Sequence, residues 1–381
     1  MNILLVGAGG YATGYVKELL KNKDPDVAWV GVVDPYYDAC AKKAEIDAAE
    51  IPVYPSMEAF YAEHHADLAV ICTPPFLHRE QSICALSHGS YVLCEKPVAP
   101  TTAEARDMLE AEKTYGKWIA IGYQWSFSQA ILALKRDILA GVLGKPLGFK
   151  TAISWPRDLA YYGRSTGWAG RIERNGRVIL DSIASNACAH YLHNMFFLLG
   201  ATMESSAEAE NVEAVCLRAN EIENFDTCSI RAQASGVPLY FIASHAAGKN
   251  RNPEFVYRFE HAEITFAQDE GSEIVATFAD GSVKSYGDPF ANNFSKLWDC
   301  VAAVRNGSVP VCTVETAMAH TKVIEQIWRE CPVCNFSPET VKFDEIKNCI
   351  YVEGLFERMY QAYENETMLD NINSFASGIK A

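Results

Sequence analysis

The stretch that most constrains this chain is Met1 to Ala12. Ile3, Leu4, Leu5 and Val6 form an unbroken apolar run that leads directly into Gly7-Ala8-Gly9-Gly10-Tyr11-Ala12. A short buried strand, a glycine turn and a helix in that order form the phosphate-binding fingerprint G-x-G-x-x-A. Gly7 lets the chain turn sharply, Gly9 lets the backbone approach a diphosphate, and Ala12 lets the next helix pack on the strand. The first N–H groups of that helix, expected over Tyr11 to Lys21, lack intrahelical acceptors and point at an anion. Gly10 and Tyr11 complete the expected dinucleotide loop.

A second strand is expected over Val27 to Val33, ending at Asp34. An acidic residue about twenty positions beyond the turn accepts hydrogen bonds from ribose hydroxyls. It repels a 2′-phosphate, and Pro35 and Tyr36 offer no adjacent arginine. The expected cofactor is therefore NAD, with NADP disfavoured. Further apolar runs, Leu68 to Cys72, Tyr91 to Cys94 and Trp118 to Ile121, alternate with helical stretches. That alternation predicts a doubly wound parallel sheet with its ligands at the carboxyl ends of the strands. Thr73-Pro74, Glu95-Lys96 and Gly122 stand at those ends, with Gln124 close behind.

From about residue 211 to 286 the chain instead reads as successive strands, and Asp280-Gly281 is a hairpin signal between two of them. Helices are expected near 182–199, 291–306 and 313–330, with one more over Glu353 to Asn365. We divide the chain into a cofactor domain (1–122), a second α+β domain (123–334) and a helical tail (335–381). The net charge of −15 argues against nucleic acid or an anionic membrane as partner. No apolar run reaches the ~18 residues of a membrane helix, and Met1 leads straight into a strand, so a cytoplasmic location is expected. The twelve cysteines are scattered. Cys331-Pro-Val-Cys334 lacks a second pair at zinc spacing, and no metal is expected.

Three segments together carry a family resemblance: Gly7-Ala8-Gly9, Thr73-Pro74-Pro75-Phe76-Leu77-His78 and Glu95-Lys96-Pro97. With Gly122-Tyr123-Gln124-Trp125-Ser126-Phe127, the chain resembles the glucose–fructose oxidoreductase / inositol dehydrogenase (Gfo/Idh/MocA) family. The resemblance implies a Rossmann domain followed by an α/β domain with an open, predominantly antiparallel sheet that commonly mediates oligomer contacts. It also implies redox chemistry on sugars, cyclitols or related polyols, with Lys96 at the reaction centre. Thr73, Pro74, His78, Glu95 and Gln124 are then expected near the cofactor. The chain departs from the family at Pro75, where asparagine is usual, and at Ser126, where arginine is frequent.

The family's Asp-x-x-x-His helix is also altered. Asp181 is followed by Ser185, whereas counting back from Leu199-Gly200 aligns Asn186 and His190 with the pair. In one continuous helix, Asn186 and His190 share a face. Asp181, nine positions before His190, falls half a turn out of phase at about 100° per residue. Asn186 and His190 are therefore the expected catalytic pair with Lys96, while Asp181 is left to cap the helix or bind something else. If 181–185 is a loop, that choice reopens.

Oxidation of a carbinol needs a base for the hydroxyl proton and a donor for developing alkoxide charge. A histidine titrates near neutrality and suits the first role; Lys96 suits the second. Tyr123, Trp125, Trp155, Arg157, Arg164, Trp168, His193 and Asn194 are candidate substrate contacts, since aromatic rings stack on sugars and arginine clamps anionic groups. The expected function is NAD-dependent hydride transfer to or from a secondary alcohol of a sugar, cyclitol or glycoside, in a homodimer or homotetramer. A redox-neutral oxidation–elimination on a glycoside and a non-catalytic NAD/sugar sensor are the alternatives.

Overall fold

The computed structural model describes residues 1–163 and 167–369. They form two compact units: 1–127 with 292–318, and 128–291 with the residues from 319 onward. The first unit thus takes in 292–318, which a contiguous boundary at 122/123 leaves with the second.

In the first unit β1 (Asn2–Val6), β2 (Ala28–Val33), β3 (Val53–Tyr54), β4 (Leu68–Ile71), β5 (Tyr91–Cys94) and β6 (Ile119–Ile121) form one sheet. Its order is β3-β2-β1-β4-β5-β6, and every pairing is parallel. All four residues of β4 are buried, as a strand covered by helices on both faces requires. The order reverses between β1 and β4, the position at which doubly wound sheets bind ligands. Local capping follows side-chain chemistry. Ser56 Oγ accepts from Ala59 N–H at 3.2 Å, and Thr101 Oγ1 from Glu104 N–H at 3.3 Å. Gly116, left-handed at φ 64°, ends the helix Thr102–Tyr115.

The second unit is built on a nine-stranded sheet. Its strands are β7 (Pro146–Ser154), β10 (Ala209–Arg218), β11 (Thr227–Ala234), β12 (Val237–Ser244), β13 (Arg251–Phe259), β14 (Ala262–Ala267), β15 (Ile274–Phe278), β16 (Val283–Gly287) and β17 (Val333–Asn335). Two small hairpins stand apart, β8 (Glu173–Arg174) with β9 (Arg177–Val178), and β18 (Val341–Asp344) with β19 (Cys349–Val352). The sheet order is β16-β15-β14-β13-β7-β12-β11-β10-β17. Only β7–β12 and β10–β17 pair in parallel, so the sheet is mixed and predominantly antiparallel. Period-two alternation sends Phe149, Phe255 and Tyr257 to one face, with adjacent rings stacked 4.1 Å apart. The wholly buried helix Ala189–Leu198 meets this face through Asn194, whose Nδ2 donates to Tyr257 Oη at 3.4 Å.

The twelve thiols are free. Among the described residues no cluster of His, Cys, Asp or Glu is arranged to hold a metal ion, and no helix is long and apolar enough to cross a membrane.

Helix Ala12–Lys21 packs against the start of helix Ser295–Asn306 at Gly14. A Cβ placed on Gly14 would lie 1.9 Å from Phe294 Cζ. Gly14→Ala is expected to destabilise the protein by about 1–3 kcal/mol through overpacking. The check is the urea midpoint at unchanged m-value. Phe294→Leu in the same chain should return part of the loss.

Candidate active site

The glycine turn is tied to the end of β2. Gly7, at φ 82°, donates its N–H to Val33 O at 2.8 Å. Asp34 Oδ2 accepts from Ala8 N–H at 2.9 Å, and Oδ1 from Tyr36 N–H at 2.8 Å. Asp34 therefore braces the loop while keeping lone pairs for further donors. A Cβ built on Gly9 or Gly10 meets no atom within 4 Å, so the turn leaves open space where a diphosphate belongs. Helix Ala12–Lys21 begins there with no side-chain cap on its first N–H groups. These features fit a dinucleotide.

At the adjoining strand ends, His78 is fully buried. Its Nδ1 lies 2.8 Å from Pro97 O and its Nε2 2.9 Å from Thr73 O. Burial pulls its pKa below the ordinary histidine value, against the pull of those two carbonyls. His78 is therefore a clamp between the loops after β4 and β5, the loops expected to border the cofactor. Thr73 Oγ1 donates to Gln81 Oε1 at 2.5 Å, and Pro74 precedes the single turn Pro75–Leu77.

Glu95 follows β5 directly. Its carboxylate is buried and engaged within the protein. Tyr15 Oη donates to Oε1 at 2.6 Å, Lys296 Nζ forms an ion pair with the same oxygen, and Lys96 N–H reaches Oε2 at 3.3 Å. Lys296 Nζ also donates to Gly122 O at 3.0 Å and to Tyr11 Oη at 3.3 Å; Tyr11 in turn donates to Gln124 Oε1 at 3.0 Å. Burial would lower the Lys296 pKa, but the Glu95 charge, Tyr11 and their hydrogen bonds hold it above its usual value. Burial pushes Tyr11 up to about 12, with Lys296 opposing. A Cβ on Gly122 would stand 2.8 Å from Glu95 Oε1, so glycine makes room for the carboxylate. Lys296 was missed in the sequence. Its signal was a charge on the same stripe as the apolar Cys300 and Ala303.

In the second unit no single helix runs from 181 to 199. Ser182 caps a five-residue wide turn, Ile183–Ala187, reciprocally with Ser185, and Cys188 N–H reaches back to Ile183 O at 2.8 Å. A regular helix resumes at Ala189–Leu198. The phase argument that set Asp181 aside therefore fails. Asp181 Oδ1 accepts from Asn186 Nδ2 at 2.9 Å, and Oδ2 from Gly170 N–H at 2.6 Å. Widened turns of this kind recur at functional sites.

The remaining expected contacts separate by burial. Tyr123 (0% exposed), Trp125 (1%), His193 (1%) and Asn194 (1%) are core side chains with no surface to offer a substrate. Burial, with His320 and Lys135 nearby, holds His193 well below the usual histidine pKa. His190 keeps 8% exposure, and Asn186, Trp155, Arg157 and Trp168 are half-buried. Trp155 Nε1 donates to Asn252 Oδ1 at 2.8 Å, and the Arg157 guanidinium lies 4.8 Å from the Tyr161 ring centroid. Arg164 lies outside the described residues.

A doubly wound nucleotide-type unit, joined in one chain to a mixed-sheet unit, defines a two-part α/β scaffold. Residues 1–123 match the model of the oxidoreductase family with an NAD-binding Rossmann fold, GFO_IDH_MocA. The likeness to that family is carried by this domain. Inositol 2-dehydrogenase of Renibacterium salmoninarum is 33% identical over 148 residues, 39% of this chain and 44% of the relative. D-glucoside 3-dehydrogenase of Escherichia coli is 27% identical over 145 residues, covering 38% and 41%. The chain thus spans less than half the length of these curated relatives. An oxidoreductase from Agrobacterium radiobacter, solved with NAD+, L-tartaric acid and magnesium, shares the fold. Its TM-score is 0.71 at 16% identity, over 86% of this chain and 95% of that one.

Lys296→Met strands a buried carboxylate and is expected to lower stability by about 3–5 kcal/mol, whereas Glu95→Gln with Lys296→Met should recover much of it. Because the native Lys296 pKa is raised, the pair's contribution is complete below the ordinary lysine pKa of about 10.4. It is lost as pH climbs through the native value. Urea melts of the wild type and the two variants from pH 7 to 11 check both points.

Proposed function

We propose that the chain is an NAD-dependent oxidoreductase that transfers a hydride between nicotinamide and a secondary alcohol of a sugar, cyclitol or glycoside. The observation that carries this reading is Lys96, set directly behind β5 in the sheet whose glycine turn fits a diphosphate. The curated relatives, an inositol and a glucoside dehydrogenase, support the substrate class. NAD, when bound, supplies the hydride acceptor. Gly7, Gly9, Gly10, Tyr11 and Ala12 hold its diphosphate, Asp34 its ribose, and Thr73, Pro74 and Gln124 border it.

Lys96 donates to the substrate oxygen and stabilises its developing charge. His190 takes the hydroxyl proton. Asn186 orients substrate or base, and Asp181 is a positioning residue that acts through Asn186. Trp155, Arg157 and Trp168 supply stacking and hydrogen-bonding surface for the substrate. An NADH-forming assay on a polyol and glycoside panel tests the reading. No signal with any of them, from protein that binds NAD, counts against it. Glycoside cleavage without net NADH, by protein purified with NAD retained, supports the redox-neutral alternative instead.

Lys96→Ala is expected to lower kcat by about 10²–10⁴-fold while the NADH Kd, read by fluorescence, stays within a few-fold. Asn186→Asp places two carboxylates within hydrogen-bonding reach and should hold one proton above the usual carboxylate range. Its pH–rate profile then gains an extra ionisation. The exchange Asp181→Asn with Asn186→Asp leaves one charge and should remove that ionisation.

A further inference from the structure

The nine-stranded sheet has a second face, and alternation along the strands identifies what it carries. Lys150 and Ala152 of β7, Tyr240 and Ile242 of β12, Ser229 and Arg231 of β11, and Arg258 of β13 point away from the face that holds Phe149 and Tyr257. Each of these seven meets residues near the C-terminal end of the described chain. Helix Leu355–Asn365 buries Leu355, Met359, Ala362 and Tyr363, a single stripe at helical spacing. With Leu369, they form one apolar cluster with Ala152, Tyr240, Ile242 and Leu217.

Polar groups match across the same contact. Lys150 Nζ donates to Tyr363 O at 3.3 Å and lies 4.4 Å from the Tyr363 ring centroid. Tyr240 Oη donates to Thr367 O at 2.7 Å, Leu369 N–H to Ser229 Oγ at 3.0 Å, and Arg258 pairs with Glu366 at 2.7 Å. Arg231 donates to Glu366 O, and Lys249 pairs with Glu357. Where this cover stops, over β14 and β15, outward positions turn largely polar: Glu263, Thr265, Val275 and Thr277. The buried apolar side chains of this face, Ala152, Leu217, Tyr240 and Ile242, lie where the helix covers it.

We propose that this sheet face is an interaction surface whose partner is the chain's own segment 337–369. That segment covers the face and closes it to self-association. The homodimer or homotetramer expected from the sequence rested on this face being open. The proposal does not depend on the redox reading.

Sedimentation velocity of the full chain over about a hundredfold concentration range tests it, with hydrogen exchange read at both ends of the range. A monomer is expected, with the amides of 358–365 exchanging at least ~100-fold slower than an unfolded segment. A dimer with unchanged exchange on β7, β12 and β13 also supports a closed face. A dimer that gains protection on those strands overturns the proposal, as does unprotected 358–365 in the wild-type chain. Met359→Glu should lose that protection and self-associate as concentration rises. Loss of protection in a chain that stays monomeric at the highest concentration also overturns it. Should Met359→Glu not fold, Lys150→Met with Arg258→Ala serves the same comparison.

Discussion

A carboxylate buried at the end of a central strand must be compensated, and Glu95 sets that requirement for the first unit. Removing an ion from water costs several kcal/mol, recovered only when a counter-charge and hydrogen bonds converge on it. Here the counter-charge comes from Lys296, about two hundred positions downstream. The pairing binds 292–318 to the Rossmann sheet, and its neighbours follow from it. Gly122 must lack a side chain, Gly14 must admit the Phe294 ring, and Tyr11 and Tyr15 must point their hydroxyls inward. With Glu95 satisfied inside the protein, Lys96, next in sequence, does not have to serve as its counter-ion.

The Rossmann sheet was legible because its signals are local. An apolar run, a glycine turn and an acidic strand end each depend on neighbours in sequence, and β1, β2, β4 and β5 fall within a residue or two of where periodicity puts them. What was not legible is the long-range partners. Glu95 and His78 stand at the expected strand ends, but which groups they face depends on Lys296, Tyr15 and Pro97, and no spacing rule reaches those. Tyr123 and Trp125 belong to an aromatic-rich stretch that composition cannot divide into core and surface. The break between Ile183 and Ala189 was hidden for another reason. Ser182-Ile183-Ala184-Ser185 reads as passable helix, while the reciprocal capping of Ser182 and Ser185 favours starting a turn there.

The second sheet shows the same division between local and long-range information. Strand alternation fixes that it has two faces and which side chains lie on each. It does not say what covers them. One face receives helix Ala189–Leu198, every residue of which is buried. The other carries Lys150 and Arg231 among Ala152 and Ile242, a mixture that reads from sequence as a solvent-facing surface. It becomes intelligible only against helix Leu355–Asn365, whose carbonyl and carboxylate groups near its C-terminal end meet those cations. The hairpin of β18 and β19, absent from the sequence expectation, leads directly into this helix through Gly354.

The Asp181–Asn186 contact fixes more than a distance. A carboxylate accepts only, so the amide nitrogen of Asn186 must be the end turned toward Asp181, and its carbonyl oxygen must face the other way. Asn186 thus presents an acceptor on its far side, as an aspartate there would, but without a proton to take or a full charge to lend. The charge stands one hydrogen bond behind, where Gly170 N–H helps to hold it. Such an arrangement can orient a hydroxyl or an imidazole N–H. It cannot itself act as the base. In the reaction proposed above, proton transfer then falls to a neighbouring group, and His190, on the resumed helix and not wholly closed to solvent, is the candidate with a titratable side chain.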